Sequence, residues 1–305
     1  MGQLAGDSLG SLVEFQSPET ILRSYPDGVR ELADGGTWNT IAGQPTDDSE
    51  MALMLARMLI ENGTYDRKKA LKAYQFWLKT GPFDCGATIS SGLQGFPLME
   101  SQANGTLMRI CPLGIFGINF PLETVSSWAM QDAELTHPNQ LCLEINAIFT
   151  MAISHAIKSG CETHELYRQI KEWALDMGVD PQILDVINKA VEIPLTNAVY
   201  QQGWVLKAFH NALWQLTNAP NLEEGIVATV MLGGDTDTNA AICGALLGSV
   251  YGLEAIPVQW KESILVCRAG AGFPGVKHPR PECFWPVDAH EIAVSLVSMN
   301  DRELL

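Results

Sequence analysis

Two short runs of oxygen-bearing side chains are the groups in this chain best suited to chemistry. They are Thr46-Asp47-Asp48, in GQPTDDSEMALMLARML, and Asp235-Thr236-Asp237-Thr238, in LGGDTDTNAAICGALLG. Carboxylate and hydroxyl oxygens suit hard divalent cations such as Mg²⁺ or Mn²⁺, whereas Zn²⁺ favours His and Cys. Each run precedes an apolar pattern of helical spacing, which places its acids at a helix N-terminus. Acids there also stabilise the macrodipole and cap free N–H groups, each effect worth roughly 0.3–2 kcal/mol. Taken alone, either run fits capping as well as cation binding.

The surroundings of the second run point to a built site. Gly233-Gly234 implies a turn taken for its backbone geometry. The helix beyond Asp237 carries a stripe of small residues, Ala240, Ala241, Gly244, Ala245, Gly248 and Gly252, which lets another helix approach closely. Glycine inside a helix costs up to about 1 kcal/mol, and close packing is the compensation this pattern offers. A helix buried in this way carries its acidic end into the interior, where carboxylates must be paired or bound to metal. Neither run contains a Lys or Arg. If folding joins the two runs, they can hold a pair of divalent ions.

Helices must do the positioning. Ser49 to Glu61 has apolar residues at 51, 52, 55, 58 and 59, one helical face, and stops at Asn62-Gly63. Leu141 to Ile157 opens after His137-Pro138-Asn139 and closes at Ser159-Gly160. Similar patterns predict helices over 67–79, 123–134, 163–176, 181–191, 203–216, 223–232, 239–252 and 288–299, while strand alternation is weak throughout. Pro and Gly collect in predicted loops over 81–97, 112–121 and 269–286, the last long enough to wrap the surface or border a site. The expected fold is all-α, a compact single-domain orthogonal multi-helix bundle over residues 1–305, with the site at helix N-termini.

At 47% hydrophobic and 18% charged residues, the chain is long enough for a substantial core. No run of eighteen uninterrupted apolar residues occurs; the longest candidate, Asn239 to Leu253, is short and rich in Gly and Ala, so no membrane span is expected. No basic-then-apolar leader is read at the start. Seven cysteines lie among apolar neighbours without CxxC or zinc spacing, as expected of buried thiols in a reducing cytoplasm. Two Asn-Gly-Thr triplets, at Asn62 and Asn104, are read as turns. The net charge of −16 opposes nonspecific nucleic-acid binding, though a small anion can bind where metals or helix N-termini supply positive potential. No exposed heptad or long edge strand suggests an oligomer, so a monomer is the default.

TDDSEMALMLA and GGDTDTNAAICGALLG together resemble the paired signatures of the ADP-ribosylglycohydrolases, which include the dinitrogenase-reductase-activating glycohydrolases. Three further segments fit in the same order. Gly6-Asp7-Ser8-Leu9-Gly10 resembles the family's GDALG element, with Glu14 at the family's spacing. Ala103 to Arg109 (ANGTLMR) resembles ANGSLMR, and Leu135-Thr136-His137-Pro138 resembles the THP segment. The likeness runs from the start to about residue 252.

This resemblance implies an all-α fold, a centre of two Mg²⁺ or Mn²⁺ ions, and hydrolysis of the bond between ADP-ribose C1″ and an acceptor. By position, Thr46, Asp47, Asp48, Asp235, Asp237 and Thr238 would be metal ligands. Glu14 would be a further metal-site or catalytic carboxylate. Asp84, in GPFDCGAT, matches a GPFDxGNT segment near the substrate ribose or acceptor. Glu14, Asp48, Asp84 and Asp235 thus form the expected catalytic set. Asn104, Gly105 and Thr106 would lie near the diphosphate, and His137 near the distal part of the nucleotide. Glu14, Asp47, Asp48, Asp84, Asp235 and Asp237 offer more carboxylates than the two a conventional glycosidase uses, and the excess argues for metal. The implied partners are an ADP-ribosylated protein, plausibly modified on arginine, or a small ADP-ribose conjugate. There are departures: the helical turn that usually precedes GDALG is mostly missing, Ala87 stands where the family often has Asn, and Thr106 stands for Ser.

Without the resemblance, His137 reads as an ordinary residue at the start of a helix. Arg109, in LMRIC, reads as satisfying buried carbonyls or an acid, and Asp7 as a structural N-cap. Trp204 and Trp214 read as core, and Trp38 as a possible flank of the site. Two other functions stay open: a catalytically silent ADP-ribose binder, and a two-metal hydrolase of another substrate such as a phosphoester.

Overall fold

The computed structural model describes residues 1–298. Fifteen α-helices account for most of them. In order they are α1 (Gly2–Gly10), α2 (Pro18–Ser24), α3 (Asp47–Asn62), α4 (Arg67–Lys79), α5 (Ala87–Leu93), α6 (Cys111–Gly117), α7 (Leu122–Ala133) and α8 (Gln140–Ser159). They continue as α9 (Thr163–Met177), α10 (Pro181–Lys189), α11 (Val205–Asn218), α12 (Leu222–Val230), α13 (Thr236–Tyr251), α14 (Val258–Val266) and α15 (Ala289–Val297). Among the described residues there is no strand; extended pairing is limited to the bridges Gly35–Thr40 and Ala103–Trp204. The fold is all-α, as expected.

The central contact is α1 against α13, and glycine makes it possible. Gly2, Gly6 and Gly10 recur at four-residue spacing on α1; Gly2 and Gly6 meet the small-residue stripe of α13, and Gly10 meets the backbone of Thr236 and Asp237 at its start. A Cβ on Gly6 would stand 2.0 Å from the Ala240 carbonyl oxygen, and one on Gly2 would stand 2.2 Å from that of Gly244. The two backbones therefore touch directly. Helix α13 is buried from Thr236 through Leu247, so its N-terminal acids start inside the protein. One cluster of buried apolar side chains, from Leu4 to Leu296, surrounds this pair.

Local signals explain the element ends. Helix α3 closes on Gly63 at φ +71°, and α8 on Gly160 at φ +65°, both left-handed. Asn139 caps α8 by accepting from Leu141 N. The start of α3 is capped from a distance. The Asp7 carboxylate, on α1, accepts from Thr46 N (3.2 Å), Thr46 Oγ1 (2.9 Å) and Ser49 N (3.2 Å). Asp7 is thus a structural cap, but it lies inside α1 and caps another helix rather than its own.

Several segments differ from expectation. Residues 6–10, expected to form a GDxxG turn, belong to helix α1, because packing against α13 offsets the cost of its glycines. The predicted loop over 81–97 contains α5, that over 112–121 overlaps most of α6, and α2 and α14 were not predicted. The last residue of the predicted 288–299 helix lies outside the described residues. The longest apolar helix is α8 rather than 239–253: by length and composition α8 could cross a membrane, yet 72% of its apolar window is buried within the protein. Four of the seven free cysteines (Cys142, Cys161, Cys243 and Cys267) are buried, and the other three are half-buried.

The 269–286 segment is irregular apart from a 3₁₀ turn at Glu282–Phe284 and the start of another at Pro286–Asp288. Arg280 pins it. Its guanidinium pairs with Glu50 at 2.8 Å through both Nε and Nη2, and Nη1 donates to the Thr80 and Gly81 carbonyls. Glu50, in the first turn of α3, is buried and also accepts from Trp77 Nε1.

Candidate active site

The two acidic runs meet. Helices α3 and α13 bring their N-termini together, and a cavity of about 260 Å³ opens beside them. Its walls include Glu14, Asp47, Asp84, Asn104, Gly105, His137, Asp235 and Thr238. Asp48 and Asp237 do not line the cavity; both are buried beside it. Glu14, Asp84 and Asp237 each bring a carboxylate oxygen within 4.8 Å of the other two.

Backbone geometry sets these positions. Gly233 (φ +72°) and Gly234 (φ +78°) make the turn that aims Asp235, the N-cap of α13. That turn is tied to the chain beyond α1, since Phe15 N donates to Gly234 O (2.7 Å) and Gly234 N to Gln16 O (3.0 Å). Glu14 is thereby fastened next to Asp235. Trp38 does flank the site: its Nε1 donates to Glu14 Oε2 at 2.5 Å. The 269–286 segment does not line the cavity; it approaches the site only through His278, whose ring lies 4.6 Å from that of Phe83, the residue before Asp84.

Electrostatically the cluster is unbalanced. Among the described residues, none of the six carboxylates of Glu14, Asp47, Asp48, Asp84, Asp235 and Asp237 has a Lys or Arg ion pair. Burial pushes Asp47, Asp48 and Asp237 well above the usual carboxylate range, and repulsion from their neighbours adds to it. Burial, reinforced by Asp84, raises Glu14 to about 8. Burial also raises Asp84 and Asp235. Asp48 Oδ1 and Asp237 Oδ2 are buried with no hydrogen-bond partner. Buried anionic oxygens without partners are costly, and an oxygen-only set of this kind fits a hard divalent cation.

The other expected residues behave differently from one another. Thr46 Oγ1 is engaged by Asp7 (2.9 Å) and Asp48 (2.8 Å). Asn104 turns its side chain toward the acids, and Nδ2 donates to Asp235 Oδ2 at 2.8 Å. Thr106 is buried, with its hydroxyl accepting from Asn146 of α8, and it is not on the cavity wall. His137 is buried, lines the cavity, and leaves Nε2 unpartnered. Arg109 does not reach the cavity, because it is locked to Asp132 at 3.0 Å with both side chains fully buried. Trp204, expected in the core, is half-buried and works as a tether, with Nε1 donating to Gln102 Oε1 while Asn104 N donates to Gly203 O. Trp214 is likewise half-buried.

Residues 1–271 match the model of the ADP-ribosylglycohydrolase family. The chain belongs to this family. It is accordingly a glycosyl hydrolase. It is 29% identical over 276 residues to the ADP-ribosyl-[dinitrogen reductase] glycohydrolase of Rhodospirillum rubrum, covering 85% of this chain and 86% of the relative. It is 23% identical over 284 residues to the ADP-ribosylarginine hydrolase Tri1 of Pseudomonas putida (strain GB-1), covering 87% and 72% respectively. Among solved structures, an ADP-ribosylglycohydrolase-related protein complex superimposes with a TM-score of 0.76 at 26% identity, covering 98% of this chain and 95% of that one.

Three features of the site were not legible in the sequence: Asp7 as the cap of α3, the Trp38–Glu14 contact, and Phe15 on the cavity wall. Phe15 adopts φ +64° and is 56% exposed, which is unusual for a large apolar residue. Its place directly after Glu14 was the one available signal.

Proposed function

We propose that this chain releases ADP-ribose from a modified arginine side chain on a protein, with divalent cations as cofactors. The observation that carries the reading is the convergence of the α3 and α13 acids on one cavity, with Asp48 Oδ1 and Asp237 Oδ2 buried and unpartnered. A protein acceptor is supported by the relative named for dinitrogen reductase, and an arginine acceptor by the relative named for ADP-ribosylarginine.

Thr46, Asp47, Asp48, Asp235, Asp237 and Thr238 would hold two Mg²⁺ or Mn²⁺ ions. Such ions, when bound, orient ribose hydroxyls and lower the pKa of a coordinated water. The chain's own groups do the rest. The bond between C1″ and the acceptor atom breaks, a water oxygen joins C1″, and the acceptor leaves with a proton. Positive charge develops at C1″ on the way, and the carboxylates facing the cavity stabilise it. Glu14 and Asp84 both line that space, and in this reading Asp84 holds the proton that the acceptor takes. Asn104 holds Asp235 in orientation. Gly105 lies on the cavity wall, where the diphosphate would bind, and packs so closely that a Cβ there would stand 2.9 Å from Ile89 Cδ1 and 3.2 Å from His137 Cε1.

A substrate panel tests the reading: ADP-ribosyl-arginine, ADP-ribosyl-serine, O-acetyl-ADP-ribose and a generic phosphoester, each with Mg²⁺, with Mn²⁺ and with EDTA. Release of ADP-ribose from the arginine conjugate, abolished by EDTA, is expected. Turnover of the phosphoester alone, or ADP-ribose binding without any turnover, would overturn it.

A further inference from the structure

We propose that a buried chain of hydrogen bonds, from Asp132 through Arg109 and Thr136, sets the tautomer of His137, so that a neutral ring presents its Nε2–H to the cavity as a donor for an acceptor atom of the nucleotide. The nucleotide as partner rests on the function proposed above; the tautomer does not.

The argument follows the protons. His137 Nδ1 lies 2.8 Å from Thr136 Oγ1, and Arg109 Nη1 lies 2.9 Å from that same oxygen. A guanidinium carries donors only, so Thr136 must accept from Arg109. The threonine's own hydrogen then has one polar neighbour left among the described residues, His137 Nδ1. Nδ1 therefore accepts, and in a neutral imidazole the proton sits on Nε2. That nitrogen is buried, has no partner, and belongs to a residue on the cavity wall.

The upstream groups are held firmly. Arg109 donates through Nε to Asp132 Oδ1 (3.0 Å) and through Nη2 to Asp132 O (2.9 Å), and its guanidinium stacks 4.6 Å from the centre of the Tyr74 ring. Asp132 Oδ2 in turn accepts from Tyr74 (3.0 Å) and Tyr65 (3.5 Å). Gly92 of α5 locks the backbone of Thr136, since a Cβ there would stand 2.6 Å from Thr136 Cα. Chargeable groups around the ring are Arg109, Asp132, Tyr65 and Tyr74 on the protein side, and Glu14, Asp47, Asp84 and Asp235 across the cavity. Asp132 is already paired, so no carboxylate touches the imidazole. Burial, then the Arg109 charge, lowers His137 to about 3. A neutral Nε2–H with nothing to donate to wants an acceptor such as a phosphate or ribose oxygen or a ring nitrogen.

The test is two-bond ¹H–¹⁵N correlation of the intact protein labelled at histidine, with the His137 signal identified by its loss in H137Q. The expected spectrum is that of a neutral ring protonated on Nε2 at pH 7 and still at pH 5. T136S should retain it, while T136V should mix or reverse the tautomers. Should T136V fail to fold, the wild-type and T136S spectra still decide. A wild-type ring protonated on Nδ1, or charged at pH 5, would overturn the relay. Adding ADP-ribose with Mg²⁺ should shift the Nε2–H signal, and H137Q should bind ADP-ribose about 3- to 10-fold more weakly. An unmoved signal would overturn the nucleotide contact and leave the tautomer standing, and hydrolysis of the arginine conjugate is scored separately from both.

Discussion

Asp237 shows why single residues matter here. Its Oδ1 accepts from Thr238 N at 2.9 Å, while Oδ2 is buried with nothing to accept from. Replacing it with Asn keeps the shape and removes the charge. The expected outcome for Asp237→Asn, or for Asp235→Asn, is loss of bound divalent metal by elemental analysis and a fall in turnover of at least about 100-fold. Full retention of both would end the cation proposal. Asn104 acts one step back, through its 2.8 Å bond to Asp235. Asn104→Ala should weaken metal affinity about 10- to 100-fold with the thermal midpoint little changed, as read by calorimetric titration. The acids of both runs were legible in sequence because their type is the signal. Glu50 shares their type and their place at a helix start, and only folding shows it bound to Arg280 and Trp77.

Among elements, the α1–α13 pair decides whether the site exists. The stripe on α13 was readable from its four-residue spacing, but the helix that answers it was not. Glycines at 2, 6 and 10 argue against helix locally, and only the backbone contact with α13 reverses that preference. Gly6→Ala forces a Cβ to 2.0 Å from the Ala240 carbonyl oxygen, which only backbone movement can relieve. A stability loss of about 1–3 kcal/mol or more is expected by urea unfolding, together with lower metal affinity, because α1 also supplies Asp7 to the α3 cap. A wild-type urea curve for this variant would refute the packing argument. The 269–286 segment offers a second check. Arg280→Ala strands Glu50 in the interior and should cost about 3–5 kcal/mol, whereas Arg57→Ala, at a half-exposed pair with Asp288, should cost about 1 kcal/mol or less.

At the scale of the whole molecule, the acidic cluster makes the metal-free protein sensitive to pH. Glu14 is raised to about 8 and Asp7 to about 6, and Asp47, Asp48 and Asp237 are pushed up as well, burial being the first cause in each. Where the folded pKa exceeds the unfolded one, the fold keeps protons that the unfolded chain has released. That stability is fully present below the ordinary carboxylate range of about 4 and is lost as pH rises through the folded values. His137 acts in the opposite sense: its lowered value contributes stability above about 6.5 that is lost as pH falls toward 3. The carboxylates outnumber it. The thermal midpoint of the EDTA-treated protein should therefore decline from pH 5 to pH 8, and Mg²⁺ or Mn²⁺ should remove most of the decline. A midpoint that ignores both pH and cation would count against a cation-binding cluster.

Residue type and spacing were enough to determine the all-α class, the two acidic helix starts, the Gly233-Gly234 turn, and the stops at Gly63 and Gly160. Each of these depends on local backbone preference or on the chemistry of a single side chain, which the chain carries wherever it goes. Tertiary structure alone decided that Asp7 caps a helix other than its own, that glycine-rich residues 2–10 are helical, that Trp38 meets Glu14, and that Arg109 speaks to His137 through Thr136. Those facts depend on which distant groups become neighbours in a medium that excludes water. There an unpartnered oxygen or nitrogen is costly, and the partner that relieves it comes from another part of the chain or from a ligand.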